Sequence, residues 1–264
     1  MKPFIKWAGG KRWLVGEAGF SLPEFDGRYI EPFLGGGAVF FHTLPDSAIL
    51  SDANSRLIET YNAIKSDWQR VYSALQQMQR DHSKEYYYIE RARKRRTPYS
   101  RAAQFLYLNR TCWNGLYREN LKGEFNVPIG TKSKVIFENE DFSEISIALR
   151  DAEVICCDFE ETIDRAGRGD LIFADPPYTV AHNLNGFVKY NQNIFSWSDQ
   201  ERLRDCLCSA ASRGAQVVLT NADHESIRDL YDGVATYKKM QRASVISGSS
   251  AARRTTTEAI LLMG

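Results

Sequence analysis

The sequence predicts an α/β protein organised on an open sheet, and three stretches carry that expectation. Asp170-Leu-Ile-Phe-Ala-Asp-Pro-Pro-Tyr178 is an apolar run too short for a helix, ended by a carboxylate and two prolines. It reads as a buried strand delivering Asp175 to the edge of the sheet. Arg28-Tyr-Ile-Glu-Pro-Phe33 reads as a strand running into the glycine bend Leu34-Gly-Gly-Gly37 and then into a helix from Ala38. Ala48-Ile-Leu-Ser-Asp52 is a second strand, tipped by an acid and followed by a helix from Asn54 to Lys65. Strand, glycine bend, helix and acid-tipped strand open a nucleotide-type fold, whose ligands sit beyond the carboxyl ends of the strands.

Taken in order, the chain begins with Lys6-Trp-Ala-Gly-Gly-Lys11, a glycine turn ahead of a short helix, where Lys11 could meet a carboxylate or a phosphate. Its spacing is not that of a P-loop, so nucleoside triphosphate binding is rejected. An acid at the tip of the second strand can accept hydrogen bonds from ribose hydroxyls, although Asp52 could equally cap the helix from Asn54. Asp67 to Arg96 is polar with a helical pattern, and a second helix, Arg101 to Arg110, carries Ala103, Phe105, Leu106 and Leu108 as core. Thr111 to Pro128 holds Asn-Gly and Lys-Gly turn signals among polar and aromatic residues, the pattern of a hairpin. It offers an aromatic wedge in Trp113, amides in Asn114 and Asn126 and a guanidinium in Arg118, side chains suited to unstacking a duplex and reading base edges.

From Ser146 the α/β rhythm returns. Ala152 to Asp158 reads as a buried strand, Phe159 to Ile163 as a short helix, Asp199 to Arg213 as a helix capped by Ser198, Gln216 to Thr220 as a buried strand and His224 to Tyr231 as a helix. The last pieces, Val234 to Met240 and Ala259 to Met263, form a strand pair around the loop Ser247 to Arg254, and the Asn-rich loop Thr179 to Ser196 has the length of a segment that orders over a substrate.

Composition bounds the partners. With 264 residues and a formal net charge of +1, the balance announces no nucleic acid, so any basic surface must come from uneven distribution. From Lys84 to Arg118 nine Lys or Arg stand against two Glu, densest at Arg91-Ala-Arg-Lys-Arg-Arg96, a run that suits a phosphate backbone or merely a solvated face. Cys112, Cys156, Cys157, Cys206 and Cys208 show no metal or disulfide spacing and read as reduced core thiols. Neither a signal peptide nor a membrane span is visible, so a cytoplasmic protein with no membrane partner is expected.

The motifs so far are Lys6-Trp-Ala-Gly-Gly-Lys11, Glu31-Pro-Phe-Leu-Gly-Gly-Gly37, the Asp52 strand end, Asn109-Arg110 with Asn114-Gly-Leu-Tyr-Arg118, Gly123-Glu-Phe-Asn-Val-Pro128 and Asp175-Pro-Pro-Tyr178. In that order, across nearly the whole chain, they resemble the DNA adenine methyltransferase (Dam) family. The resemblance implies a Rossmann-like S-adenosylmethionine-dependent methyltransferase sheet of seven mostly parallel strands. Residues 1–66 and 141–264 would form the catalytic domain, and 67–140 a helical and β-hairpin target-recognition insertion. It implies S-adenosylmethionine as donor, held by Trp7, Lys11, Phe33, Gly35 and Asp52, with Asp158 and Phe159 near its adenine and Asp175 beside it. Duplex DNA, usually at GATC, would be met by Lys6, Trp113, Asn114, Leu116, Arg118, Asn126 and Pro128. A monomer in a bacterial cell, or one encoded by a phage or mobile element, is expected. Two departures stand out: Thr111-Cys112-Trp113 where relatives often carry a tyrosine, and Gly130-Thr131-Lys132 where they often place basic and aromatic groups.

An adenine amino nitrogen is a poor nucleophile because its lone pair is delocalised into the ring. Asp175 carboxylate and Pro176 carbonyl can localise that pair by accepting both N6 hydrogens, and Tyr178 can stack on a base turned out of the helix. In-line alignment with the donor methyl is then a positioning effect that requires no metal. Two other readings remain: an enzyme for another amine such as cytosine N4 or an RNA adenine, and a DNA-binding regulator on an inactive scaffold.

Overall fold

A computed structural model describes residues 1–16, 20–120, 123–181, 195–243 and 255–264. Leu121 and Lys122 of the expected hairpin, most of the Asn-rich loop (182–194) and the Ser247 to Arg254 loop lie outside the described residues. Seven strands form one sheet in the order β3-β2-β1-β4-β5-β7-β6, with β1 Tyr29–Glu31, β2 Ala48–Ser51, β3 Ala152–Ile155, β4 Leu171–Ala174, β5 Gln216–Ala222, β6 Thr236–Ala243 and β7 Thr255–Met263. The chain divides into two compact units, Met1–Val15 with Leu34–Asp46 and Asp52–Cys156, and Gly16–Phe33 with Ser47–Ser51 and Cys157–Gly264.

The second unit holds the parallel heart of the sheet. β1 pairs in parallel with β2 and with β4, and β4 with β5, whereas β7 runs antiparallel to both β5 and β6. Every residue of β1, β2 and β4 is buried, which is why these segments read as continuous apolar runs with no alternation. Chain order reverses between β1 and β4, the switch point beyond whose carboxyl ends open sheets bind ligands. The helix α8, Trp197–Ser212, begins two residues before its sequence-based start. Its cap is Ser196 rather than Ser198, because Ser196 and Asp199 bond each other's backbone in a capping box. The last helix, α9 Glu225–Leu230, is capped by His224.

The first unit is mainly helical. Its helices are α1 Arg12–Val15, α2 Ala38–Thr43, α3 Ser55–Asp81, α4 Lys84–Ala92, α5 Pro98–Thr111 and α6 Phe142–Leu149. The two helical stretches read from sequence on either side of residue 66 are one run, broken where Asp67 leaves helical geometry at φ −159°. Helix stops at Ala92, not Arg96. Thr97 then starts α5 with its own capping box and Pro98 in the first turn, where a missing N–H costs nothing. Residues 102 to 111 of α5 are all buried, so this helix is the unit's centre. In β3, Glu153 points to solvent, as befits an outermost strand and unlike the fully buried strand expected there.

Of the five cysteines expected in the core, Cys112 and Cys206 are buried, whereas Cys156 is exposed. No described helix is long and apolar enough to cross a membrane.

Candidate active site and nucleic-acid interface

In the first unit the glycine bend and the acid of the second strand meet. Asp52 Oδ2 accepts the Gly35 N–H at 3.0 Å and Oδ1 accepts the Asn54 N–H at 2.9 Å. The helix cap is Asn54, whose side chain accepts from Leu57 N–H, so Asp52 is not the cap that the sequence left open. Burial lifts the Asp52 carboxyl above its ordinary range, and the two N–H donors offset part of that rise. Gly35 and Gly37 have φ of 47° and 62°, a region that strains any residue with a Cβ. A Cβ on Gly35 would also lie 2.6 Å from Trp7 Cδ1, so the bare face of this glycine is occupied by the Trp7 indole. Lys11 is buried at 3 % exposure, with Nζ donating to Gly9 O at 3.0 Å.

Trp7 also stacks on Tyr117 at 5.9 Å, and Tyr117 packs against Phe125 at 5.1 Å. These rings root the expected hairpin, which is present: Cys112 bridges Ile129 and Glu119 bridges Phe125, both antiparallel. The hairpin presents the side chains singled out in the sequence outward. Trp113 is 55 % exposed, and Asn114, Leu116, Arg118, Asn126 and Pro128 are exposed beside it. Asn114 adopts a left-handed φ of 57°, a conformation its short amide tolerates. Arg118 Nε donates to Asn126 Oδ1 at 3.1 Å, coupling two of the residues assigned to DNA. Lys6 joins them, its ammonium donating to Asn114 O, while its backbone N–H and C=O are both held by the Asn109 side chain, at 3.1 and 2.8 Å.

The basic stretch is less available than its composition suggests. Buried Glu90 gathers Arg95 at 2.6 Å and Arg93 at 3.3 Å, and Glu59 takes Arg101. Arg110 turns wholly inward, where it binds Glu140 and donates to Phe4 O and Val135 O. Of the run itself, Arg93, Lys94 and Arg96 stay exposed.

In the second unit Asp175 follows directly on β4, beyond the switch point. Thr220 Oγ1 donates to Asp175 Oδ1 at 2.7 Å, and Pro176 is buried next to it. The Tyr178 hydroxyl donates to Glu258 Oε2 at 2.6 Å. Burial, then the charges of Asp175 and Glu258, push the Tyr178 phenol well above its ordinary range, so it stays protonated. Gln200 Nε2 reaches Thr179 O at 3.4 Å and Gln200 Oε1 accepts from Asn221 at 3.0 Å, so a buried amide pair braces the backbone of the turn. Phe33 stacks on Phe159 at 5.4 Å. Asp158 is engaged already: it caps α7, Phe159–Ile163, and binds Arg202 at 2.5 Å in a cluster with Glu160 and Asp199. Thr220, Glu258, Gln200 and Arg202 were not legible as site residues. The nearest signal was Glu258, a lone acid ahead of the apolar run Ala259 to Met263.

A mostly parallel sheet with its switch point at β1 and β4, an acid-tipped β2 and an Asp-Pro-Pro-Tyr turn leaving β4 defines a Rossmann-like methyltransferase fold. A family model described as D12 class N6 adenine-specific DNA methyltransferase matches residues 7–245, and the chain belongs to that family. Among similar proteins are the DNA adenine methylase of Serratia marcescens, 39% identical over 92% of this chain and 92% of its own. Type II methyltransferase M1.LlaDCHI of Lactococcus lactis subsp. cremoris is 36% identical over 99% of this chain and 95% of its own. The DNA adenine methylase of Escherichia coli (strain K12) is 32% identical over 96% and 92%. Membership implies a methyl donor and a DNA substrate.

Proposed function

We propose that the protein transfers a methyl group from S-adenosylmethionine to N6 of an adenine turned out of duplex DNA, within GATC. The observation that carries this reading is the oriented Asp175-Pro176-Pro177-Tyr178 turn at the switch point, with its carboxylate and its ring each tethered by a hydrogen bond. When bound, S-adenosylmethionine supplies a methyl on a positively charged sulfur. Asp175 and Pro176 accept the two N6 hydrogens, which concentrates the lone pair on nitrogen, and as positive charge develops there the carboxylate stabilises it. Tyr178 stacks on the extruded base, and Trp113 fills the gap it leaves.

The residues present fit the donor. A carboxylate offers about four lone-pair sites; the N–H groups of Gly35 and Asn54 draw on two lone pairs of Asp52, and ribose hydroxyls suit the others. Lys11 is the ammonium for the donor's carboxylate and Phe33 a further donor contact, with Phe159 near its adenine and Trp7 and Gly35 shaping the bend. Residues 67–140 serve target recognition through Lys6-supported Asn114, with Leu116, Arg118, Asn126 and Pro128. The GATC core rests on the motif resemblance.

The test is to express the protein in a methylation-free bacterium and digest its plasmid with enzymes that cut only methylated or only unmethylated GATC. Protection at GATC is the expected result; a fully unmethylated plasmid refutes activity, and methylation elsewhere refutes the site. Asp52→Ala should weaken donor binding by about 1–3 kcal/mol by leaving polar partners unpaired, so unchanged affinity in calorimetry removes Asp52 from the ribose. Arg118→Ala should relax choice at one base pair, whereas a uniform loss over all sequences reassigns Arg118 to phosphate.

A further inference from the structure

We infer that Thr220 and Glu258 are positioning residues for the methyl-acceptor site, Thr220 fixing the rotation of the Asp175 carboxylate and Glu258 the plane of the Tyr178 ring. This rests on the role proposed above for the Asp175 to Tyr178 turn.

The register puts both groups at the right level. Ala174 of β4 faces Leu219 of β5, so the next pair is Asp175 and Thr220, and the hydroxyl meets Oδ1 at 2.7 Å. An aspartate's carboxylate torsion is broad and roughly two-fold. One bond from a side chain that is 1 % exposed and fixed on a central strand selects one setting. On the far side of β5, antiparallel β7 pairs Thr220 with Ile260 and Ala222 with Glu258, so Glu258 stands two residues further toward the edge, where Tyr178 reaches it. The tyrosine ring torsion is equally soft, and a tethered hydroxyl removes that freedom.

Packing alone does not explain Glu258. Glu258 is 5 % exposed at the head of Ala259-Ile-Leu-Leu-Met263, where an apolar side chain would stabilise the strand and a buried carboxylate costs stability. The antiparallel strand beside β5 thus supplies a support for the reactive turn as well as closing the sheet.

Single-turnover methyl transfer with saturating donor and duplex reads the effect. Thr220→Val keeps the branched shape and removes the hydroxyl; it should slow transfer about 10- to 100-fold, the scale of a small misplacement. KM for both substrates should hold, and Thr220→Ser should restore the rate. A wild-type rate in Thr220→Val, or a Thr220→Ser as slow as the valine variant, overturns the assignment. Glu258→Gln retains an acceptor and should stay near wild type, while Glu258→Leu should slow transfer when Tyr178 is present and add nothing in a Tyr178→Phe background. Equal losses in both backgrounds refute the tether. Asp175→Ala run alongside separates the two levels: if it turns over, the acceptor-site reading itself fails, and if it is inactive while Thr220→Val is unimpaired, only the positioning inference fails.

Discussion

Asp175→Ala is expected to abolish methyl transfer, lowering kcat by at least about 1000-fold, while donor and duplex still bind. The carboxylate's work comes late: it accepts from N6 most strongly when positive charge has built up on that nitrogen. A group whose interaction strengthens in the transition state lowers kcat when removed and leaves ground-state affinity nearly untouched. Asp175→Asn keeps one carbonyl acceptor without the negative charge, and an intermediate rate is expected from it. Rapid-quench transfer assays, paired with titration of a fluorescent duplex, check both. Persistent turnover in the alanine variant, or loss of binding in step with rate, contradicts the assignment.

The second large effect is on stability. Arg110 is 2 % exposed and Glu140 8 %, and the guanidinium is further held between the rings of Phe137 at 4.9 Å and Phe142 at 5.7 Å. Burial lowers the Arg110 pKa and raises that of Glu140, each against the pull of its partner, so the pair is stable only as a pair. Arg110→Ala strands a carboxylate in the core together with the carbonyls of Phe4 and Val135. We expect a loss of roughly 3–5 kcal/mol in urea unfolding. A companion Arg110→Met/Glu140→Leu variant, which removes both charges and keeps volume, should recover most of it. A midpoint for Arg110→Ala matching the wild type would show that the pair does not hold this unit together.

This pair also marks where sequence reading stops. Arg110 stands in the basic stretch and on charge alone belongs with a phosphate-binding face; the partner that turns it inward lies 30 residues on, at Glu140. Glu90 neutralises Arg95 from only five residues away, yet nothing in the local pattern says that this glutamate is buried. By contrast, the strands before Phe33, Asp52 and Asp175 were legible because each is a short, wholly buried run punctuated by glycine, acid or proline. The hairpin was legible from its turn signals, but the Asn114-Gly115 pair, with φ of 57° and 64°, forms a short 3-10 turn ahead of the Glu119–Phe125 bridge rather than the reversal within it.

Local signals were ambiguous where two neighbours could do the same job. Asp52 and Asn54 are both good caps, and only the Gly35 N–H, 17 residues away, shows that Asp52 is committed elsewhere. Ser196 and Ser198 differ as caps only by which can pair reciprocally with Asp199. Thr220 and Glu258 could not have been found, since their partners lie 45 and 80 residues distant and strand pairing alone brings them together. Asp158 illustrates the reverse case, a residue that the resemblance places near the donor's adenine and whose carboxylate the fold gives to Arg202.

The most direct measurement uses the purified protein, a synthetic GATC duplex and S-adenosylmethionine carrying a deuterated methyl group, followed by mass spectrometry of the released nucleosides. Label on N6 of the GATC adenine, lost in Asp175→Ala, is the expected result. Label on cytosine N4, or none from protein shown to bind both substrates, contradicts it.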